Sequence, residues 1–262
     1  MTCPSGTGAA PLRGHDVVCD DATVTTSLTN RLVLWDVDRT LLSIGPVSQE
    51  IYSLAFERVT GSLPRAIAPM AGRTERAIIT ETLALNGQTH DENVFGAFYD
   101  ALGQAAPQLK DRMVSQGQAL PGSKEAIKLI GEAGGTQSLV TGNIRPIALT
   151  KLQAFGLEDG LMLDTGGYGD HSSDRSELVE FAIARTGAEL GDPFTPANTV
   201  IIGDTPHDVE GAHRAGATAI GGATGASTRA DLLEAGADHA LEDLRDGPGL
   251  VELIRELTSD SP

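Results

Sequence analysis

The sequence predicts an α/β fold: a doubly wound parallel sheet core with a helical domain inserted after the first strand. Three observations carry that expectation. Short apolar runs recur along the chain, and each closes on a polar or glycine-containing turn. Helical patterns separate most of these runs, which is the signature of βαβ units. One long stretch, residues 46–119, breaks the alternation and shows helical periodicity alone.

The first strand is Arg31-Leu32-Val33-Leu34-Trp35, a continuous apolar run that leads straight into Asp36. Such a run suits a strand buried on both faces. Ser138-Leu139-Val140 ends at Thr141-Gly142-Asn143, and Leu161-Met162-Leu163 ends at Asp164-Thr165-Gly166-Gly167. Thr199-Val200-Ile201-Ile202 ends at Gly203-Asp204, and Ala217-Thr218-Ala219-Ile220 at Gly221-Gly222. Helices are expected over 123–133, 146–155, 176–185 and 207–215, with proline near a start or glycine after an end as punctuation. The insertion reads as helices over 48–59, 74–85 and 92–116, the last with Val94, Phe95, Phe98 and Leu102 on one face. The expected organisation is a flexible N-terminal tail (1–28), a core (29–45 and 119–262) and a helical cap (46–118). Open parallel sheets bind ligands beyond the carboxyl ends of their strands, where the polar turns lie.

The formal net charge of −17 disfavours nucleic acid and anionic membranes as partners. It also repels phosphorylated small molecules, so a site for one must carry its own local positive charge. Hydrophobic content of 40% against 21% charged residues supports a real core rather than global disorder. Both cysteines, Cys3 and Cys19, lie in the N-terminal tail. A disulfide framework, a cysteine nucleophile and a thiolate zinc site are therefore not expected. No apolar run has the length of a membrane span. The tail lacks the apolar stretch of a secretory signal, so a cytoplasmic location is expected.

Four elements at strand ends or helix starts carry chemistry. Asp36 and Asp38, one residue apart after the first strand, can divide two jobs: one carboxylate attacks while the other exchanges protons. Taken alone, the same pair is an acidic turn capping a helix. Thr141, Gly142 and Asn143 offer a hydroxyl and backbone N–H groups for phosphoryl oxygens, or simply a helix cap. Arg175, at a helix start, supplies a fixed cation or a surface arginine. Asp204 follows a buried strand and fits a magnesium ligand, with Asp208 one turn later as its support or as a first-turn carboxylate. His207 and His171 remain unassigned, since a lone histidine beside a hard-cation site is usually a neighbour rather than a ligand.

Together, in this order, these four elements resemble a phosphatase of the haloacid dehalogenase superfamily. The likeness is to the phosphoglycolate phosphatase-like branch, with a Rossmann-like core and a helical cap, and it covers residues 30 to 245 or so. The resemblance implies that Asp36 is a nucleophile forming an aspartyl-phosphate and that Asp38 is its general acid and base. It implies that Thr141 binds the transferring phosphoryl group and that Arg175 takes the usual basic position. It places Mg²⁺ on Asp36, the backbone carbonyl of Asp38, and Asp204. The substrate would be a small phosphorylated metabolite, and the protein a monomer or homodimer.

Two positions bear on specificity. The family usually has glycine where this chain has Arg39, and glycine there permits close approach or a positive φ. Arg39 is expected to project toward the cap and bind a second anionic group. Met70-Ala71-Gly72-Arg73-Thr74 resembles a cap specificity loop, which makes Arg73 a candidate substrate contact. Three rival readings share the scaffold. A haloacid dehalogenase does not need Asp38, a phosphoglucomutase-like enzyme needs a longer-lived phosphoenzyme, and a non-catalytic binding protein needs neither carboxylate.

Overall fold

Strand β1 (Leu32–Trp35) alternates its apolar side chains between two separate cores. Val33 and Trp35 enter one cluster, and Leu32 and Leu34 enter the other. A continuous apolar run is thus what a strand covered by helices on both faces requires. The same alternation recurs on the parallel neighbour at Thr199–Gly203, where Val200 and Ile202 face one core and Ile201 the other.

In this computed structural model, residues 27–89 and 92–258 are described. After β1 come the short strand β2 (Leu42–Ser43) and helices α1 (Val47–Thr60), α2 (Glu75–Leu85), α3 (Glu92–Gln108) and α4 (Lys110–Gln116). Next are β3 (Gln118–Ala119), α5 (Ser123–Glu132), β4 (Thr136–Thr141), α6 (Arg145–Phe155), β5 (Gly167–Tyr168) and α7 (Arg175–Leu190). The remaining elements are β6 (Thr199–Gly203), α8 (Pro206–Arg214), β7 (Thr218–Gly222), α9 (Arg229–Glu234), β8 (His239–Leu241) and α10 (Gly247–Leu257). Among the described residues the main sheet has the order β5-β4-β1-β6-β7-β8, and every pairing in it is parallel. The chain steps outward from β1 on one side and then on the other. The carboxyl ends of β4, β1 and β6 therefore share one crevice. The expected doubly wound α/β sheet is present.

β2 and β3 pair antiparallel, with Leu42 opposite Ala119 and Ser43 opposite Gln118. The two chain crossings into and out of α1–α4 thus lie side by side. Strands of two residues carry no periodicity that a sequence pattern can display.

Several boundaries differ from expectation. Leu161–Leu163 is not a strand. Its backbone is used in turns, Leu161 N–H to Glu158 O at 3.3 Å and Thr165 N–H to Met162 O at 3.2 Å, and only Met162 reaches the sheet, at Gln137 O, 2.8 Å. The strand in that region is β5, paired at Val140 and Thr141. The turn at 164–167 consequently misses the crevice: Asp164 pairs with Arg145, and Thr165 hydrogen-bonds Ser138 at 3.1 Å. The single helix expected over 92–116 divides at Leu109, just after Pro107, which cannot supply a helical N–H. Of the tail expected over 1–28, residues 1–26, with Cys3 and Cys19, lie outside the described residues. Leu28 itself belongs to the fold, fully buried and bonded through its N–H to Ala133 O at 2.7 Å.

Trp35 ends β1 immediately before Asp36. Its indole N–H donates to Gln137 Oε1 at 3.0 Å, and Gln137 Nε2 donates to Ile127 O at 2.8 Å, all in the core. Replacing Trp35→Phe removes the donor and strands the Gln137 oxygen. The expected loss is about 1–3 kcal/mol of unfolding free energy, measured by urea denaturation.

Candidate active site

Two strand ends and one helix start bring the acidic residues together. Asp36 follows β1 directly, its N–H bonded to Ile202 O on β6 at 2.9 Å. Asp204 follows β6, and Asp208 lies in the first turn of α8. All three are buried, and each offers an oxygen within 4.8 Å of the others. Glycine makes this crowding possible: a Cβ on Gly225 would stand 1.8 Å from Asp204 Oδ2.

One guanidinium serves this group. Arg175, the first residue of α7, donates to Asp36 Oδ1 at 2.9 Å and to Val140 O at 3.3 Å, and it ion-pairs with Asp208. Burial opposes its charge, but Asp208 and Asp36 outweigh burial and hold the guanidinium above its ordinary value. Asp208 has further partners. Its Oδ2 accepts from Thr205 N–H at 3.0 Å and from the Thr205 hydroxyl at 2.6 Å, in a capping box.

Asp38 belongs to a second network. Its Oδ2 accepts from Lys151 Nζ at 2.5 Å and from Asn143 Nδ2 at 2.7 Å. Lys151 also donates to Asn143 Oδ1 at 2.7 Å, and Asn143 Nδ2 reaches Thr141 Oγ1 at 2.9 Å. Thr141 ends β4 fully buried. Sequence reasoning missed Lys151. It lies inside α6, eight residues beyond Asn143, and nothing in its local pattern separates it from a solvated helix lysine.

Arg39 has a left-handed backbone, φ 66°, a conformation that glycine adopts without steric cost. Its side chain is exposed and lines a cavity of about 480 Å³ between the strand ends and the inserted helices. Arg73 lines the same cavity, but its guanidinium is engaged by Glu81 at 2.5 Å and Pro69 O at 3.2 Å. The loop before α2 presses onto the core. Glu75 N–H donates to Gly142 O at 2.8 Å, and a Cβ on Gly142 would stand 2.0 Å from Arg73 O. His207 is exposed, and His171 stacks on Phe181 at 4.2 Å, outside the cavity. Asp36, Asp38, Arg39, Arg73, Thr141, Gly142, Asn143, Arg175 and Asp204 all line that cavity, while Asp208 stands behind it.

The carboxylates lack positive charge. Burial first, then Asp208, push Asp36 up to about 7 against the pull of Arg175. Burial, Asp36 and Asp208 push Asp204 up to about 9. Hard oxygen donors gathered in excess over their cations fit a divalent metal ion. With no metal bound, the folded protein holds protons on Asp36 and Asp204 that the unfolded chain releases near 3.8. Between that value and about 7 to 9, stability therefore falls as pH rises. Chelator-treated protein should show Tm decreasing across this window in thermal melts. Added Mg²⁺ should raise Tm most at its alkaline end; a metal response independent of pH would contradict this electrostatic account.

Comparison with known proteins agrees with this geometry. The family described as haloacid dehalogenase-like hydrolase matches residues 33–213. The protein named "Probable phosphatase IndB" of Dickeya dadantii (strain 3937) is 30% identical over 235 residues, spanning 87% of this chain and 96% of that one. A hydrolase from Pseudomonas syringae superposes with a TM-score of 0.59 at 21% identity, covering 87% of this chain and 100% of the other. A chain described as a "predicted phosphoglycolate phosphatase" from Haemophilus somnus gives 0.59 at 16% identity, covering 86% and 98%. The two structural likenesses establish a shared fold, and the family match spans most of the chain: this protein belongs to the haloacid dehalogenase-like hydrolase family.

Proposed function

We propose that the protein is a Mg²⁺-dependent phosphatase. It removes the phosphoryl group from a small phosphorylated metabolite through an aspartyl-phosphate on Asp36. The observation that carries this reading is the separation of two neighbouring carboxylates into different networks. Asp36 faces Arg175, while Asp38 is held by Lys151 and Asn143. A nucleophile and a separate proton carrier are what phosphoester hydrolysis needs, and a dehalogenase has no use for the second.

In the first step an Asp36 oxygen attacks phosphorus and the bond to the ester oxygen breaks. Asp38 gives its proton to that oxygen, so the alcohol leaves neutral. In the second step water attacks phosphorus, Asp38 takes a proton from it, and the bond to Asp36 breaks. Inorganic phosphate departs and the carboxylate is restored. The Thr141 hydroxyl and the N–H groups of Gly142 and Asn143 receive the phosphoryl oxygens at the end of β4. Arg175 opposes protonation of Asp36 and holds charge that develops on the phosphoryl group.

Asp36, Asp204 and the backbone carbonyl of Asp38 would hold Mg²⁺, which when bound neutralises the carboxylates facing an anionic ester. Asp208, already engaged by Arg175 and Thr205, steadies Asp204's surroundings from behind. The inserted helices act as a cap that closes over the leaving group.

Phosphate release from a panel of phosphorylated metabolites, with Mg²⁺ and with chelator, tests the reading. Turnover should require metal and fall at least about 10³-fold in Asp36→Asn. Retained turnover in that variant would reject the nucleophile, and the absence of metal-dependent turnover on any ester would reject the phosphatase. Lys151→Met should leave Asp38 poorly oriented and lower kcat about 10- to 100-fold while KM moves less than about threefold. A fall confined to thermal stability would make Lys151 a structural residue only.

A further inference from the structure

The first residue of α2, Glu75, is only 4% exposed, yet it lines the cavity beneath the inserted helices. Capping does not account for it, because the cap of α2 is Thr74, whose hydroxyl accepts from Ala77 N–H at 3.4 Å. Its carboxyl takes a hydrogen bond from the Tyr52 hydroxyl, itself 3% exposed and part of the same cavity wall. Among the described residues no ion pair holds Glu75. The cation close enough to act on it, Lys151, is spent on Asp38 and Asn143.

We propose that Glu75, with Tyr52, reads the leaving group, and that the substrate carries an uncharged hydroxyl close to the ester oxygen. This rests on the phosphatase reading above. Glu75 is bonded through its backbone to Gly142, beside the residues assigned to the phosphoryl group. A group near the ester oxygen therefore meets Glu75 on the β4 flank of the cavity.

Charge excludes the alternatives at this spot. A carboxylate would stand against Asp38, and an ammonium would stand against Lys151. Burial first, then Asp38 and Asp170, push the Glu75 carboxyl up to about 8 in spite of Lys151, so at neutral pH it is mostly an uncharged acid. An uncharged acid both donates and accepts hydrogen bonds, as does the Tyr52 hydroxyl, and a hydroxyl is their natural complement. Ser48 and Gln49, on the same face of α1 as Tyr52, extend this uncharged polar wall. An anionic substituent belongs on the opposite flank. There the Arg39 carbonyl accepts from the Thr224 hydroxyl, beyond β7, the residue lines the cavity, and among the described residues no hydrogen bond or ion pair engages its guanidinium.

Three matched two-carbon esters test the proposal at pH 7 with Mg²⁺: 2-hydroxyethyl phosphate, 2-phosphoglycolate and 2-aminoethyl phosphate. The protein should show kcat/KM at least about tenfold higher for the hydroxyl ester than for either charged one, the worth of one satisfied hydrogen bond. Glu75→Leu should collapse that ratio toward unity, and Glu75→Gln, which still donates and accepts, should retain most of it. Tyr52→Phe should lower it in between. Preference for a charged ester, equal turnover of all three, or a Glu75→Leu effect identical on every ester would overturn the proposal while leaving the phosphatase intact. No turnover of these esters or of p-nitrophenyl phosphate would overturn the phosphatase reading and this proposal with it.

Discussion

Asp36, Asp204 and Asp208 crowd the carboxyl ends of β1 and β6, and a single buried guanidinium, Arg175, stands among them. Burial first, and then repulsion between like charges at this spacing, drive Asp36 and Asp204 toward their protonated forms. The fold tolerates the arrangement because both faces of the sheet are sealed by apolar clusters and the polar groups are pushed to its open edge. The cluster is not a stability device. It stores affinity for positive charge, and a divalent cation bound there relieves the repulsion that the strands impose.

The inserted helices meet this centre through close backbone contacts. Glu75 N–H meets Gly142 O, Gly142 leaves no room for a Cβ against Arg73 O, and Gly169 packs as closely on Gly142 O. The segment that walls the cavity therefore touches the loop that we propose holds the phosphoryl group. On the proposed reading, seating of the leaving group and seating of the phosphoryl group become one event, so binding energy remote from the reacting atoms is available to the reaction.

The sequence disclosed what local pattern can encode. β1, β4, β6 and β7 are apolar runs, and Asp36, Thr141 and Asp204 are legible because each terminates one. Arg175 is legible from its helix start. β5 was misplaced because two residues, one of them glycine, carry too little pattern to outweigh the more apolar Leu161–Leu163 run beside them. β8, α9 and α10 lie in a segment that gave no distinct signal before the fold placed it on the sheet edge. Lys151 and Glu75 were invisible for a different reason. Each resembles an ordinary helix surface residue, and only contacts 113 and 23 positions away, to Asp38 and Tyr52, take them out of solvent.

Arg39 joins these threads. A left-handed φ costs a non-glycine residue about 1–2 kcal/mol, so this side chain stays at a backbone position suited to glycine. Four basic residues line the cavity, and three are neutralised: Arg73 by Glu81, Lys151 by Asp38, and Arg175 by Asp36 and Asp208. Arg39 is the exception among the described residues, and it is also the exposed one. A chain of net charge −17 presents a repulsive surface to any phosphate ester. We propose that this guanidinium, which lines the cavity, offsets that repulsion, so that Arg39 acts on the approach and orientation of an anionic substrate while the buried groups act on its chemistry.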